Sequence, residues 1–316
     1  MKYRLARSVT LGLVASIASS LAYATNVSVD CDKSKNEEDS KEKSSITGAL
    51  AKLSKQGPHT VTVSGTCNES VLIQDFDNLT LIGRPEATIN DPVADGRAAV
   101  HVELTRLLTV DGFTINGVGN PAAVICGVFA SCLLDNNIIQ GSPGFAVFIG
   151  RHSSAALTNT TIQDSGGGLL VTFGGDAVMF DGGITGITGG GEGLPAVEVS
   201  MGSLLRIQNL DGPPVPIQYD TGLGVSVSGN AMLRLQPGAV HISGNGGPGI
   251  VVDHGSVAEV LGSNAIANNG ENAIVVGESS FVFIDDTVEI SGNTGDAVAC
   301  DGTFSNSTGQ FPCSNL

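Results

Sequence analysis

The sequence predicts an all-β chain folded as a single-stranded parallel β-helix, a solenoid of about ten turns of about 24 residues. Three observations predict it. First, unrelated columns share one period. Ile242, Ile266 and Ile290 step by 24. Asn245, Asn269 and Asn293 keep the same step, as do Ile250, Ile274 and Val298. Earlier, Ile115, Ile139, Ile162 and Ile184 step by 24, 23 and 22. Second, each unit repeats one grammar. It opens on strict alternation, as in Ala-Val-His-Val at 99–102, Ala-Val-Phe-Ile at 146–149 and Ala-Val-Glu-Val at 196–199, which reads as strand. A second apolar run follows, such as 282–284, and then a third that ends in Ile before Gly or Asn, as at 242–245. Gly and Asn suit left-handed turn positions. Third, no unit contains an amphipathic helical stretch. Three short strands per turn would stack on their equivalents at about 4.8 Å, giving a rod of roughly 45–50 Å.

Composition bounds the class further. Of 316 residues, 43 are Gly, about twice the usual share, and only 15% are charged, well below it. A disordered acidic chain would be apolar-poor, whereas this one is 41% hydrophobic. Collagen is excluded because the glycines follow no three-residue period. The net charge of −16 argues against nucleic acid and anionic membrane as partners.

The elements follow in chain order. Residues 1–24 read as a signal peptide: Lys2, Arg4 and Arg7 precede an apolar stretch over 9–21, and Ala-Tyr-Ala at 22–24 fits a cleavage site. The expected location is therefore the periplasm or the exterior, with no membrane span after cleavage. Residues 25–57 hold a densely charged segment and then a capping helix over 45–55. In that helix Ile46, Leu50 and Leu53 share one face, Lys52 and Lys55 fall in the last turn, and Gly57 and Pro58 stop it. An open solenoid end has to be covered, which is the expected role of this helix. The solenoid itself spans 58–301, and 302–316 reads as a polar C-terminal tail. The repeating asparagines, Asn136 and Asn159 together with Asn245, Asn269 and Asn293, are expected at equivalent or nearby turn positions, where stacked amides hydrogen-bond to one another.

The six cysteines all lie after residue 24, an even count that suits an exported chain. Their spacing is no zinc signature. Fifteen pairings are possible. Proximity in sequence favours Cys300–Cys313, Cys31–Cys67 and Cys126–Cys132, with buried thiols as the alternative.

The basic-apolar leader, the helix over 45–55, the segment Val-Thr-Val-Ser-Gly-Thr-Cys at 61–67 and the run Asn-Leu-Thr-Leu-Ile-Gly at 78–83 resemble exported bacterial right-handed parallel β-helix proteins of the pectate-lyase-like superfamily. The resemblance spans about residues 44–301 and implies right-handed winding. It implies no single activity, because that superfamily includes lyases, hydrolases, epimerases, tailspikes and adhesins. Its polygalacturonate-cleaving members carry Asn-Thr-Asp, Asp-Asp, Gly-His-Gly and Arg-Ile-Lys. This chain offers only fragments in another order: Arg206-Ile207-Gln208, Asp253-His254-Gly255 and Asp285-Asp286. Alginate-modifying members carry Asp-Pro-His-Asp, of which Asp91-Pro92 alone is present.

Elimination from an acidic sugar needs a base and a cation, and glycoside hydrolysis needs two facing carboxylates. Every Lys lies at or before Lys55, and the acids are scattered. Strand parity places Val100, Val102, Val197, Val199, Ile250 and Val252 inward. The first-strand outer face then presents His101, Glu103, Phe148, Glu198, Val251, Asp253 and Val275 as candidate binding residues. Glu103, Glu198 and Asp253 fall several turns apart. Ile125 with Phe148, and Val251 with Val275 and Ala299, form an outward apolar stripe for a loop, a subunit or a ligand. Carbohydrate platforms rely on Trp and Tyr, and after residue 24 there is no Trp and only Tyr219. No metal centre and no cofactor are expected. Calcium is conceivable from the acidity and from Gly-Gly-Glu-Gly-Leu at 190–194, although Pro195 replaces the Asp of a calcium repeat. The reading is a secreted or periplasmic β-helix with a binding or structural role, toward polysaccharide or another protein subunit, and no recognisable catalytic site. The alternatives are a polysaccharide lyase or glycoside hydrolase with an atypical site, and an oligomeric adhesin or fibre-like subunit.

Overall fold

Alternation that buries every second residue needs a partner strand on each side, and a repeating chain can supply both from its own neighbouring turns. The computed structural model describes residues 24–33 and 45–300 apart from 86, 93–96, 119–121, 191–192, 211 and 220, together with the backbone of 303–306 and 309–312. It is a parallel β-solenoid made of three sheets. One turn runs Val100–Glu103, then Arg106–Asp111, then Thr114–Asn116. Stacking such turns gives sheet I with ten strands, sheet II with thirteen and sheet III with ten.

The core is a set of columns. In sheet III, Cys67, Ile89, Ile115, Ile139, Ile162, Ile184, Ile217, Ile242, Ile266 and Ile290 lie in one register. The two isoleucine repeats visible in the sequence are therefore one stack. Ile217 joins them across a 33-residue turn, where the register also shifts between Ile184 and Ile187. In sheet I the residues expected inward, Val100, Val102, Val197, Val199, Ile250 and Val252, are fully buried. Each such side chain contributes roughly 1.5–3 kcal/mol, and repetition of one shape lets each column pack without voids.

Both ends differ from the sequence expectation. Thr25–Asp30, which the sequence placed only in a charged segment, is a strand of sheet II, parallel to Gln56–Ser64. Val27 and Val29 carry the two-residue period that marks it. The helix expected over 45–55 is a single turn, Ile46–Leu50. Ser45 caps it by accepting a hydrogen bond from the Gly48 N–H, and the Glu69 carboxylate accepts from the N–H groups of Ile46 and Thr47 at 2.6 and 3.0 Å. Ile46, Ala49 and Leu50 are buried in the core. Beyond the turn, Lys55 donates to the Gln74 carbonyl and lies 3.9 Å from the centre of the Phe76 ring. At the other end, Thr303–Asn306 continues sheet II and Gly309–Pro312 pairs with it antiparallel, so the polar tail contains two further strands. The leader over 1–23 and most of the charged stretch over 34–44 lie outside the described residues.

Cys31–Cys67 and Cys126–Cys132 are disulfides. Cys300 is also disulfide-bonded. Cys313, the partner expected for it, lies outside the described residues. Disulfides of this kind suit an oxidising compartment.

The asparagines separate into two turn columns. Asn136 and Asn159 follow strands of sheet II in left-handed conformation, and Asn136 donates to Asp111. Asn245, Asn269 and Asn293 follow sheet III, where they form a largely buried ladder with Nδ2···Oδ1 distances of 2.8 Å at each step. The sequence period alone had merged two chemically equal but geometrically distinct corners.

Candidate functional site

The outer face of sheet I carries the expected binding residues. Register places Leu72, His101, Ile125, Phe148, Leu170, Glu198, Ser226, Val251, Val275 and Ala299 in one outward column. Three of the seven candidates come together. His101, Glu103 and Phe148 line a cavity of about 200 Å³ with Ile125, Val128 and Arg151. His101 Nε2 is 3.1 Å from Glu103 Oε1. The other four candidates do not join them. Glu198 lies four strands further along sheet I, at a rise of about 4.8 Å per strand. Val251 and Val275 are neighbours further on. Asp253 is occupied by His254, with Oδ2 at 3.0 Å from Nδ1. The separation of Glu103 from Glu198 and Asp253 far exceeds the roughly 9.5 Å at which two carboxylates can share a glycosidic bond.

A ridge of corners borders this cavity, and sequence reading had missed it. Between sheets I and II, consecutive turns stack through the hydrogen bonds Leu104 N–H to Val128, Phe129 N–H to Arg151, His152 N–H to Phe173 and Gly174 N–H to Met201. The corner pairs Val128–Phe129, Arg151–His152 and Phe173–Gly174 are left-handed at both residues. Gly, Asn and Asp take this conformation at least cost, and β-branched or bulky residues take it rarely. Yet Phe129, Phe173 and Met201 occupy it while 63%, 49% and 56% exposed. Backbone strain therefore coincides with apolar side chains that stay about half exposed. The Phe129 and His152 rings stack at 5.6 Å between centroids and 17° between planes. The signal available in the sequence was Phe-Ala at 129–130, His-Ser at 152–153 and Phe-Gly at 173–174, each just past a first strand.

A second polar cluster sits on sheet II. Arg84 Nη2 is 2.7 Å from Asp111 Oδ2, and Asn136 Nδ2 donates to Asp111 Oδ1 at 3.1 Å. Asp135 stands beside Asp111 on the next turn. Partial burial, and then the charge of Asp111, hold the Asp135 carboxyl above the usual carboxylate range. At the far end, Asp285 is held below that range because the Thr287 N–H and hydroxyl both donate to it.

Among the described residues, one group has metal-ligand proximity: Cys31, Cys67 and Glu69. Its two sulfurs are already joined in a disulfide and Glu69 serves the helix turn. Of the stretch that suggested calcium, Gly191 and Glu192 lie outside the described residues. No described helix is long and apolar enough to cross a membrane.

No protein-family model matches the chain, and no curated protein matches it by sequence. Solved structures do match. The A-module of a mannuronan C-5 epimerase from Azotobacter vinelandii superposes with a TM-score of 0.50 at 14% identity, covering 78% of this chain and 90% of that one. An alginate lyase from a Paenibacillus species gives 0.46 at 12% identity, over 90% and 98% of the two chains. A surface adhesin of Streptococcus pneumoniae gives 0.37 at 9% identity, over 78% and 84%. The chain thus shares the parallel β-helix fold of the epimerase A-module. At these identities the likeness is one of fold.

Proposed function

We propose that this chain is an extracytoplasmic β-helix protein that binds polysaccharide along sheet I, between the His101–Glu103–Phe148 cavity and the left-handed ridge. One observation carries the reading: exposed aromatic side chains stand on strained corners at successive turns, directly beside a cavity with polar walls. A flat ring covers the apolar face of a sugar while neighbouring polar groups bond its hydroxyls. His101, Glu103 and Arg151 are placed to supply those bonds. Occupying a left-handed corner with Phe costs of order 1 kcal/mol or more per residue, and a ligand that covers the ring would offset that cost. The disulfides and the polysaccharide-acting proteins of the same fold support an extracytoplasmic, sugar-related role.

The role proposed is binding rather than cleavage. Among the described cavity residues Glu103 is the sole carboxylate, and hydrolysis by two acids needs a second. The test is incubation with a panel of polyuronates. Unsaturated product is followed by absorbance, cleavage by reducing ends, and binding by retardation in glycan-containing native gels. The expected result is retardation without product, weakened at least about tenfold by Phe129→Ala and by Arg151→Ala. Product formation that Glu103→Gln abolishes would make the protein an enzyme. Retardation unchanged by both binding variants would remove the site, and a dimeric solution mass disrupted by Phe129→Ala would turn the ridge into a subunit contact.

A further inference from the structure

We infer a second, independent carbohydrate face on sheet III, specific for neutral glycan. Its core is a ladder of side-chain amides, with Asn68 exposed and Asn90, Asn116, Gln140 and Gln163 half-buried. Asn90 Nδ2 donates to Asn68 Oδ1 at 3.0 Å, Asn116 Nδ2 to Asn90 Oδ1 at 2.7 Å, Gln140 Nε2 to Asn116 Oδ1 at 2.9 Å, and Gln163 Nε2 to Gln140 Oε1 at 2.8 Å. All four bonds run in one direction, so the amide dipoles align and polarise one another. Two residues back, register sets Thr66, Thr88, Thr114 and Thr161 in a parallel outward column, broken by Ile138.

Three features point to a ligand. An amide carries two N–H groups and two carbonyl lone pairs, and the ladder uses one of each on Asn90, Asn116 and Gln140. What remains is one donor and one acceptor per turn at the strand spacing, a regular match for the hydroxyls of a chain lying along the solenoid axis. The ladder is also confined. Register continues it into Thr185, and beyond the irregularity the residues that follow the stacked isoleucines are Gln218, Ser243, Ala267 and Ser291, which form no further amide-to-amide step. Those later turns keep the same parallel pairing, so winding does not require the ladder, and partly exposed hydrogen bonds add only modest net stability because water competes for them. Finally, the ladder borders a groove of about 540 Å³, whose other walls include Asp91, Val118 and Asp164.

The charge of that groove selects the ligand. The described residues lining it include no Lys or Arg, and the exposed Asp164 stands at its edge. A polyuronate would meet the like charge of Asp164, whereas a neutral glycan meets hydroxyl-matched donors and acceptors. Val118, 65% exposed, offers an apolar contact for a sugar face.

Native gels containing galactomannan, xyloglucan, dextran or polygalacturonate test this. The expected result is retardation in at least one neutral gel that Asn116→Ala weakens at least about tenfold, the scale of losing one hydrogen-bonded pair. Thr114→Val, which preserves strand shape, should weaken it as well and serves if Asn116→Ala fails to fold. Phe129→Ala should leave this retardation unchanged, which separates the second face from the sheet I site. No retardation in any neutral gel would overturn the inference. Retardation that persists in both sheet III variants, or that Phe129→Ala abolishes, would assign binding elsewhere.

Discussion

Two amide ladders run along this solenoid, and their contrast separates what holds the fold from what the fold displays. Asn245, Asn269 and Asn293 form the inner ladder, in the corners after sheet III. Asn245 and Asn269 are buried, and each Oδ1 further along also receives the backbone N–H of the preceding asparagine. That ladder satisfies backbone groups that water cannot reach, so its bonds carry the full penalty of being left unmade. The outer ladder, from Asn68 to Gln163, has similar bond lengths of 2.7–3.0 Å but is half open to solvent, where the same bonds exchange with water at modest net gain. Similar geometry therefore means structure in one place and display in the other.

The comparison breaks most sharply at Asn269. Asn269→Ala removes the acceptor for both the backbone and side-chain N–H groups of Asn245, and chemical denaturation should register a loss of ~1–3 kcal/mol. Comparable stability in that variant would mean that the inner ladder is as dispensable as the outer one.

A smaller effect is expected at Asp135, where burial and the neighbouring Asp111 raise the carboxyl's pKa. A raised folded-state pKa means that the native protein binds the proton more tightly than the unfolded chain. The contribution of Asp135 is favourable below its unfolded pKa and is lost as pH rises through the folded one. Asp135→Asn should thus raise the melting temperature at pH 7 and lose that advantage near pH 3, read from melts across the pH range. A difference independent of pH would sink this assignment.

The smallest effect belongs to the outer ladder. Asn116→Ala should cost less than Asn269→Ala, about 0.5 kcal/mol, because its half-buried amide can exchange its bonds with water. A loss as large as that of Asn269→Ala would show that the outer amides are structural and weaken the case for a binding face.

Much of the fold was legible in the sequence because stacking a chain on itself leaves a period. Ile242, Ile266 and Ile290 face the same way for one reason, burial against one another, and the inward parity of sheet I followed from alternation alone. Two disulfides followed from proximity in sequence. The candidate site was legible only in part. His101, Glu103 and Phe148 were placed outward by parity, but the ridge of Phe129, His152 and Phe173 was not. Those residues sit in corners whose spacing drifts with loop length, and only the stacked hydrogen bonds align them. The outer ladder hid for a related reason: Asn68, Asn90 and Asn116 give way to Gln140 and Gln163, and the steps drift between 22 and 26 residues.

By itself the sequence determined the all-β class, the winding period and the inward columns, since these depend on local alternation and on like side chains burying against like. Tertiary structure alone decided that Thr25–Asp30 joins sheet II, that the asparagines divide between two corners, and that Ile217 bridges a 33-residue turn to unite the two isoleucine repeats. Such outcomes depend on which edge is left unpaired and which corner is shut off from water. Both are properties of the assembled stack and of no single repeat within it.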